Sequence, residues 1–562
     1  MIRFYISIFL VAFLAQSCLN NEDTSFEDFH RSFYQWNINY SPSIMFITMN
    51  DPLLFDKRFI GDDYINDIKR FLIELNQINS KKINQENQLV YISINNFLKN
   101  NIYIYENLKF DEWNSLYYIS RFYEHAMYIG KLIESNNLGS HQIENIELLV
   151  SEINFLNDYI IFFLENIKYK HTSDLQIDTL DRLIKKILNF SSSVFQDEAQ
   201  KYPSTDYSKA ITGLITSLDK LNIWKQKHYN KLNVNPHKLS EISYKKYLHL
   251  NSDYKLDFDT IINQIITDLN KYEKMLFDYS LPIYLETNDE PVWTDFSDTT
   301  HVVTSSLENL DSYSYHCSDK DVILKFINLM ISDIFKDDIY TDINVRLRTN
   351  PKLDLGHNYD FFNHIDANNL NITTSSPHSL LFDNYYYTID KIFPGDFFIY
   401  NQILNLGDDF NSIYVNKNYF YGYKFLLMDQ LFNTNVYKFD DFEICGTMNS
   451  VYLKAMRLFY IRDRIVDALT AIVAIEYFLG DGMVEDSIRK YDRIGLIDDN
   501  KKNILLEEIF GYKMDSIVKF TSINKLKNII YGMNKNDLDR LLKILHINPN
   551  SSLLRIEKIF NK

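Results

Sequence analysis

The sequence predicts a mainly α-helical protein, in which a large helical domain carries a small β-containing insert near its centre. Two observations lead to this prediction. Apolar residues recur at spacings of three and four over long stretches on both sides of the centre, as in amphipathic helices. Between about Ser280 and Ile392 this pattern weakens, and loop residues and short alternating runs replace it.

The first half of the chain contains six stretches with helical spacing. Asp111 and Ser173 are suitable N-caps for two of them, and Gly139 is a suitable break between two helices. The six stretches are Asp62–Gln77, Asp111–Glu134, Gln142–Lys168, Asp174–Gln200, Tyr207–Leu232 and Tyr254–Tyr279.

The central region is less regular. Ser280–Ser306 reads as a long irregular segment, and Asp321–Lys336 is predicted to be a helix. Ile343–Arg348 and Asn369–Thr374 are predicted to be short strands within a loop-rich stretch. Because long loops inside compact domains tend to be functional, we expect a groove in this region.

Helices return after the pair Pro394-Gly395. The predicted ones are Phe397–Leu406, Tyr419–Phe432, Asn449–Phe478, Met483–Tyr491 and several more up to Phe560. We therefore expect one body over residues 31–562, preceded by an N-terminal leader. Its parts are a signal peptide (1–17), a tether (18–30), an N-terminal helical part (31–279), an irregular β-containing part (280–392) and a C-terminal helical part (393–562).

Composition is that of a globular protein. Hydrophobic residues make up 46% and charged residues 24% of the 562 positions. The formal net charge of −17 argues against a nucleic-acid-binding surface, which needs cationic patches. The last stretch, Lys513–Lys562, is locally basic, and we interpret its lysines as solvated helix faces.

The N-terminus has the pattern of an export signal. A positive start, Met1 to Arg3, precedes the uncharged run Phe4–Leu14, which is shorter than the ~20 residues that a membrane-spanning helix needs. The following Leu14–Cys18 resembles the bacterial lipoprotein signal, although Gln16 is not typical there. This resemblance implies lipidation of Cys18, membrane anchoring and a place in the cell envelope. An ordinary secretion signal is the alternative.

Two cysteines remain besides Cys18. Cys317 and Cys445 could form one disulfide in an exported protein. Two buried free thiols are an equal alternative, because a body of this size needs no covalent staple. The pairing stays open at this point.

Common catalytic motifs are absent from the sequence. It contains no H-E-x-x-H, G-x-S-x-G, phosphate-binding loop or dinucleotide fingerprint. His357, His364 and His378 lie in the loop-rich centre, where they could ligate a metal, but loop histidines are more often surface polar residues.

The stretch around Pro394-Gly395 resembles part of a known bacterial family. Asp390-Lys-Ile-Phe-Pro-Gly-Asp396, then Tyr421-Gly-Tyr, then Arg464 to Ala471 occur in the order of three motifs of domain of unknown function 885. Members of that family are exported, α-rich and regarded as zinc-dependent peptidases. Their motifs run H-E-x-x-P-G-H-H, E-G-W and D-x-G-x-H, and the resemblance would cover most of the chain.

The departures from these motifs concern the metal ligands. Asp390 and Lys391 replace the first His and Glu, Asp396 and Phe397 replace the His pair, and Tyr421 replaces the Glu of the second motif. In the third motif Ala471 replaces the last His. The scaffold positions are kept: Pro394, Gly395, Gly422 and Asp467. Charged lysine and phenylalanine cannot ligate zinc, so the resemblance implies a lost metal site and no cofactor.

These observations predict a membrane-anchored, exported lipoprotein that uses a peptidase-like groove for binding or structure. Its partners would be the membrane and a peptide or protein ligand, and we assign it no catalytic residue. One alternative is an active metal-dependent hydrolase with a rearranged site. Another is a surface-binding lipoprotein that is unrelated to the family.

Overall fold

A computed structural model describes the following residues of the chain: 22–36, 61–109, 114–136, 144–166, 174–190, 205–228, 239–252, 256–287, 298–313, 344–349, 362–366, 369–374, 386, 390, 395–396, 398–399, 402–403, 416–433, 449–480, 482–511, 516–549 and 551–561. Cys18, Cys317 and Cys445 lie outside this part of the chain, as does the predicted helix Asp321–Lys336.

The described residues are mainly helical, which confirms the predicted fold class. The first ten helices are α1 (22–36), α2 (Gly61–Gln77), α3 (Gln85–Tyr103), α4 (Ser115–Asn136), α5 (Glu144–Asn166), α6 (Asp174–Phe190), α7 (Asp206–His228), α8 (Glu241–Asn251), α9 (Phe258–Thr287) and α10 (Thr299–Tyr313). The later ones are α11 (Lys417–Asn433), α12 (Asn449–Leu479), α13 (Val484–Tyr491), α14 (Asp499–Phe510), α15 (Ser516–Ile530), α16 (Lys535–Ile547) and α17 (Leu553–Phe560).

Three short strands stand between the two groups of helices. They are β1 (Asn344–Thr349), β2 (Phe362–Asp366) and β3 (Asn369–Thr374). β3 lies in the middle of the sheet, parallel to β1 and antiparallel to β2. Asn369 pairs with both Asn344 and Asp366, which sets the register on the two sides.

Helices α1 to α3 form a unit with its own hydrophobic core. Phe33 of α1 packs edge-on against Phe71 of α2 and Phe97 of α3, with ring centroids 5.3 Å and 5.9 Å apart. Phe26 and Phe29 are also buried in this core. Residues 22–30 are therefore not the tether that the sequence predicted, because their phenylalanines lie on the buried face of a helix.

The main core is built around α12. Its buried residues lie on every side of the helix, from Leu458 to Phe478, and α12 packs against α9, α11 and α15. A helix with buried residues on every side has to be enclosed by other elements. This explains why the longest predicted helix, Asn449–Phe478, is the central one.

The prediction that Ser280–Ser306 is irregular is wrong at both ends of this segment. Helix α9 continues through Pro282 to Thr287, and α10 covers Thr299–Tyr313. Proline removes one backbone hydrogen bond from a helix. Ile283 and Tyr284 are nevertheless buried, and Ser306 Oγ of α10 donates to the carbonyl of Ser280 (2.9 Å), so this end of α9 is packed against α10.

No helix within the described ranges is both long and apolar enough to cross a membrane. The buried faces of these helices instead contact one another through the two hydrophobic cores.

A histidine joins α16 to the helical residues that follow Gly395. The Gln402 amide nitrogen donates to Nδ1 of the neutral His546 ring. Burial lowers the pKa of His546 below its ordinary value. The unfolded chain therefore binds a proton at this residue at a higher pH than the folded chain does, and the folded state loses stability as the pH falls below about 6.5.

We expect His546→Asn to weaken the pH dependence of stability. Between about pH 7.5 and 5.5, the midpoint of urea unfolding should fall less for the variant than for the parent chain. Equal slopes for His546→Asn and the parent would contradict the role given to burial of this ring.

Candidate functional site

Two of the predicted groove carboxylates share one lysine. Nζ of Lys424, on α11, lies 2.8 Å from Oδ1 of Asp390 and 2.6 Å from Oδ1 of Asp396. The side chains of the three residues are only 13–19% exposed. We call Asp390, Lys424 and Asp396 the Lys424 triad. It carries one positive and two negative charges in a setting where water screens them weakly.

Gly395 immediately precedes a group of helical residues. The Ile399 amide donates to the Gly395 carbonyl at 3.3 Å, and residues 396, 398, 399, 402 and 403 are helical. Asp396 therefore lies in the first helical turn, where the helix dipole favours a negative side chain. Lys391, Pro394 and Phe397 lie outside the described residues.

A second ionic cluster lies on α12 and α15. Nη2 of Arg464 is 2.7 Å from Oδ2 of Asp467, one helical turn away, and Nζ of Lys519 contacts the other carboxylate oxygen. We call Arg464, Asp467 and Lys519 the Asp467 triad. The side chains of Arg464 and Asp467 are 10% and 9% exposed, so the carboxylate is enclosed between two cations.

Burial and charge act against each other in the Asp467 triad. Burial is the largest single influence on Arg464 and Lys519 and disfavours their charged forms. The negative charge of Asp467, together with Glu508 beside Lys519 and buried tyrosines beside Arg464, outweighs burial. The pKa of each cation therefore lies above its ordinary value, and both stay protonated.

Tyr386 lies within electrostatic reach of both triads. Burial raises its pKa well above the ordinary value, as do the charges of Asp463 and Asp390, while the charge of Arg464 acts in the opposite direction. On α12, the Tyr460 hydroxyl donates to Asp429 at 3.3 Å, and burial raises the pKa of Tyr460 as well. Both hydroxyls therefore stay protonated at neutral pH.

Of the predicted site residues, three belong to the two triads and three others lie in packing positions. Asp390, Asp396 and Asp467 belong to the two triads. An added Cβ on Gly422 would lie 3.2 Å from Leu553 Cδ1, so this glycine allows α11 to approach α17 closely. Ala471 is buried in the main core, and the partly buried Tyr421 packs against that core.

The lysines that complete these clusters were not among the predicted site residues. Lys424 stands alone among the apolar residues of Tyr421–Met428, and such a lone charge indicates a buried cation with a partner. The interpretation of the basic C-terminal stretch as solvated helix faces is wrong for Lys519 and Lys527. Nζ of Lys527 lies 2.7 Å from Asp268 of α9, and burial lowers the pKa of this lysine despite that partner.

Within the described ranges, no three His, Cys, Asp or Glu residues are grouped so that they could hold a metal ion. His357 and His378 lie outside those ranges, and only the backbone of His364 is described, within β2. In the two triads, the carboxylates are held by lysine and arginine. Carboxylates in such pairs hold the elements that carry them in one relative orientation and neutralise the paired cations.

Comparisons with known proteins show a shared fold. No protein-family model and no curated protein sequence matches this chain. A structure described as "a putative lipoprotein of unknown function from Shewanella oneidensis" is similar with a TM-score of 0.62 and 11% identity, over 96% of this chain and 100% of that one. A "putative lipoprotein from Colwellia psychrerythraea" is similar with a TM-score of 0.58 and 10% identity, over 88% and 91%.

Removal of the shared lysine should destabilise the protein. Lys424→Met keeps most of the side-chain volume but leaves Asp390 and Asp396 close together without their cation, and breaking a buried ion pair costs about 3 kcal/mol or more. We expect this loss in the free energy of unfolding measured by urea titration.

The matched control is Lys209→Met. Lys209 contacts Asp206 at 2.8 Å in an exposed pair on α7, and exposed pairs contribute little to stability. Its unfolding midpoint should equal that of the parent chain. If Lys424→Met also left the midpoint unchanged, the Lys424 triad would not be the enclosed ionic contact described above.

Proposed function

We propose that the protein is an exported bacterial lipoprotein, anchored through Cys18, that works by binding or as a structural component rather than by metal-dependent catalysis. The sequence from Met1 to Cys18 supports the anchor. The shared fold with two structures that are each described as a putative lipoprotein supports the same assignment.

The Lys424 triad carries the non-catalytic part of the proposal. A hydrolytic metal centre needs ligands that are free to coordinate and a base that can accept a proton from the bound water. Here Asp390 and Asp396 are directed at one ammonium group, which supplies the local positive charge itself. A divalent ion could use these oxygens only after Lys424 had been displaced from a largely buried position.

Descent from the domain of unknown function 885 family is the finer part of the proposal. It rests on the order of the three motif remnants and on the ligand positions that now hold Asp390, Asp396 and Ala471. In this reading the region around the two triads binds a peptide or protein partner without hydrolysing it.

Lipidation is tested by metabolic labelling. Cells that express the full-length chain and are fed radiolabelled palmitate should yield labelled protein in the membrane fraction. Cys18→Ser should lose the label and leave the membrane fraction, because one cysteine carries the anchor. Cys317→Ser is the control and should label like the parent chain. A parent chain without label would overturn the anchor.

The metal content of the purified protein tests the loss of catalysis. Elemental analysis after dialysis without chelator should find far less than one zinc per chain, and a broad set of peptide substrates should remain intact. One tightly held zinc per chain, lost in the variants His357→Ala, His364→Ala or His378→Ala, would favour the rearranged hydrolase instead.

A further inference from the structure

One end of the α1 to α3 unit lies close to the predicted anchor. Only three residues separate Cys18 from Glu22, the first described residue of α1, so the two Cα atoms are at most about 14 Å apart. Phe26, Phe29 and Phe33 fix α1 in the core of the unit. The start of α1 is thus a rigid point close to the lipid chains.

The turn between α2 and α3 lies at this same end. The backbone N–H of Asn79 donates to the Glu22 carboxylate at 3.3 Å, and the backbone N–H of Asn84 donates to the Asp23 carboxylate at 2.8 Å. We call residues 22–23 and 78–84 together the anchor end. Its two acidic side chains accept backbone hydrogen bonds, while Lys81 and Lys82 are exposed.

The main body is attached at the opposite end of α3. The Tyr103 hydroxyl donates to the backbone carbonyl of Ser243 at 3.0 Å, and Nδ2 of Asn100 donates to Oδ1 of Asn251 at 3.0 Å. Helix α3 has 19 residues, which corresponds to about 28 Å at 1.5 Å per residue. The contacts with α8 are therefore separated from the anchor end by almost the full length of this helix.

Electrostatics favour an upright arrangement of this unit on the membrane. The chain has a net charge of −17, so anionic lipid headgroups repel its body. At the anchor end, Lys82 pairs with Glu22 at 3.9 Å, and the charges of Lys81 and Lys82 offset those of Glu22 and Asp23. Anionic headgroups therefore repel this end less than they repel the body, which favours an arrangement with the anchor end towards the bilayer and the main body away from it.

We propose that the α1 to α3 unit is a membrane-proximal spacer, whose anchor end contacts the lipid surface and which holds the main body about one α3 length farther out. This inference rests on the proposed anchoring through Cys18. The two triads would then lie on the part of the protein that faces the envelope space rather than the lipid headgroups.

Fluorescence quenching on vesicles tests the spacer. The lipidated chain, with Cys317→Ser and Cys445→Ser, is placed in vesicles of phosphatidylethanolamine and phosphatidylglycerol that contain a headgroup spin-labelled lipid. A thiol-reactive dye is attached at Lys81→Cys or Gln77→Cys, near the anchor end, or at Ile242→Cys, beside the α3–α8 contact. Ile242 is 81% exposed, so its dye should not disturb the packing.

Quenching should be several-fold stronger at positions 77 and 81 than at 242. Flotation of the vesicles reports anchoring separately from the dye. Protein that floats but is quenched equally at 81 and 242 would overturn the spacer and leave the proposed anchor intact. Protein that does not float would overturn the anchor, and the spacer with it.

Discussion

The buried charge of Arg464 is the constraint around which the rest of the main body is arranged. Arg464 lies in the middle of α12, a helix whose other sides are covered by apolar neighbours. A guanidinium group cannot leave water without a counter-charge, and Asp467 supplies it one turn along the same helix. Because that carboxylate then lies next to α15, Lys519 completes the triad and fixes how the two helices meet.

The need of a buried cation for a carboxylate partner also explains the ion pairs of the other helices. Lys527 of α15 pairs with Asp268 of α9, and Lys424 of α11 pairs with Asp390 and Asp396 of the preceding segment. Lys527 and Asp268 are 259 residues apart, whereas Lys424 and Asp396 are 28 residues apart. In both cases a slipped helix would leave a buried charge unpaired, which penalises the wrong arrangement.

The α1 to α3 unit follows a different principle. Its core is aromatic, with Phe33, Phe71 and Phe97 in edge-on contacts, and its connection to the main body uses neutral hydrogen bonds from Asn100 and Tyr103. A unit with its own core can keep its shape independently of the main body. That property suits a support between a lipid anchor and a functional surface.

The sequence by itself determined the mainly helical class and the long central helix, because apolar spacing is a local property that each helix shows separately. The family resemblance also assigned Asp390, Asp396 and Asp467 to one groove, which stays a prediction. Helices α1 and α3 were missed, since their Asp, Glu and Asn residues mask the spacing of the apolar ones, and α8 was missed because it has only 11 residues. Only the tertiary structure decided the partners of those carboxylates: Lys424 and Lys519 come from other helices, and no local pattern states which distant cation will lie within 3 Å of a given acid.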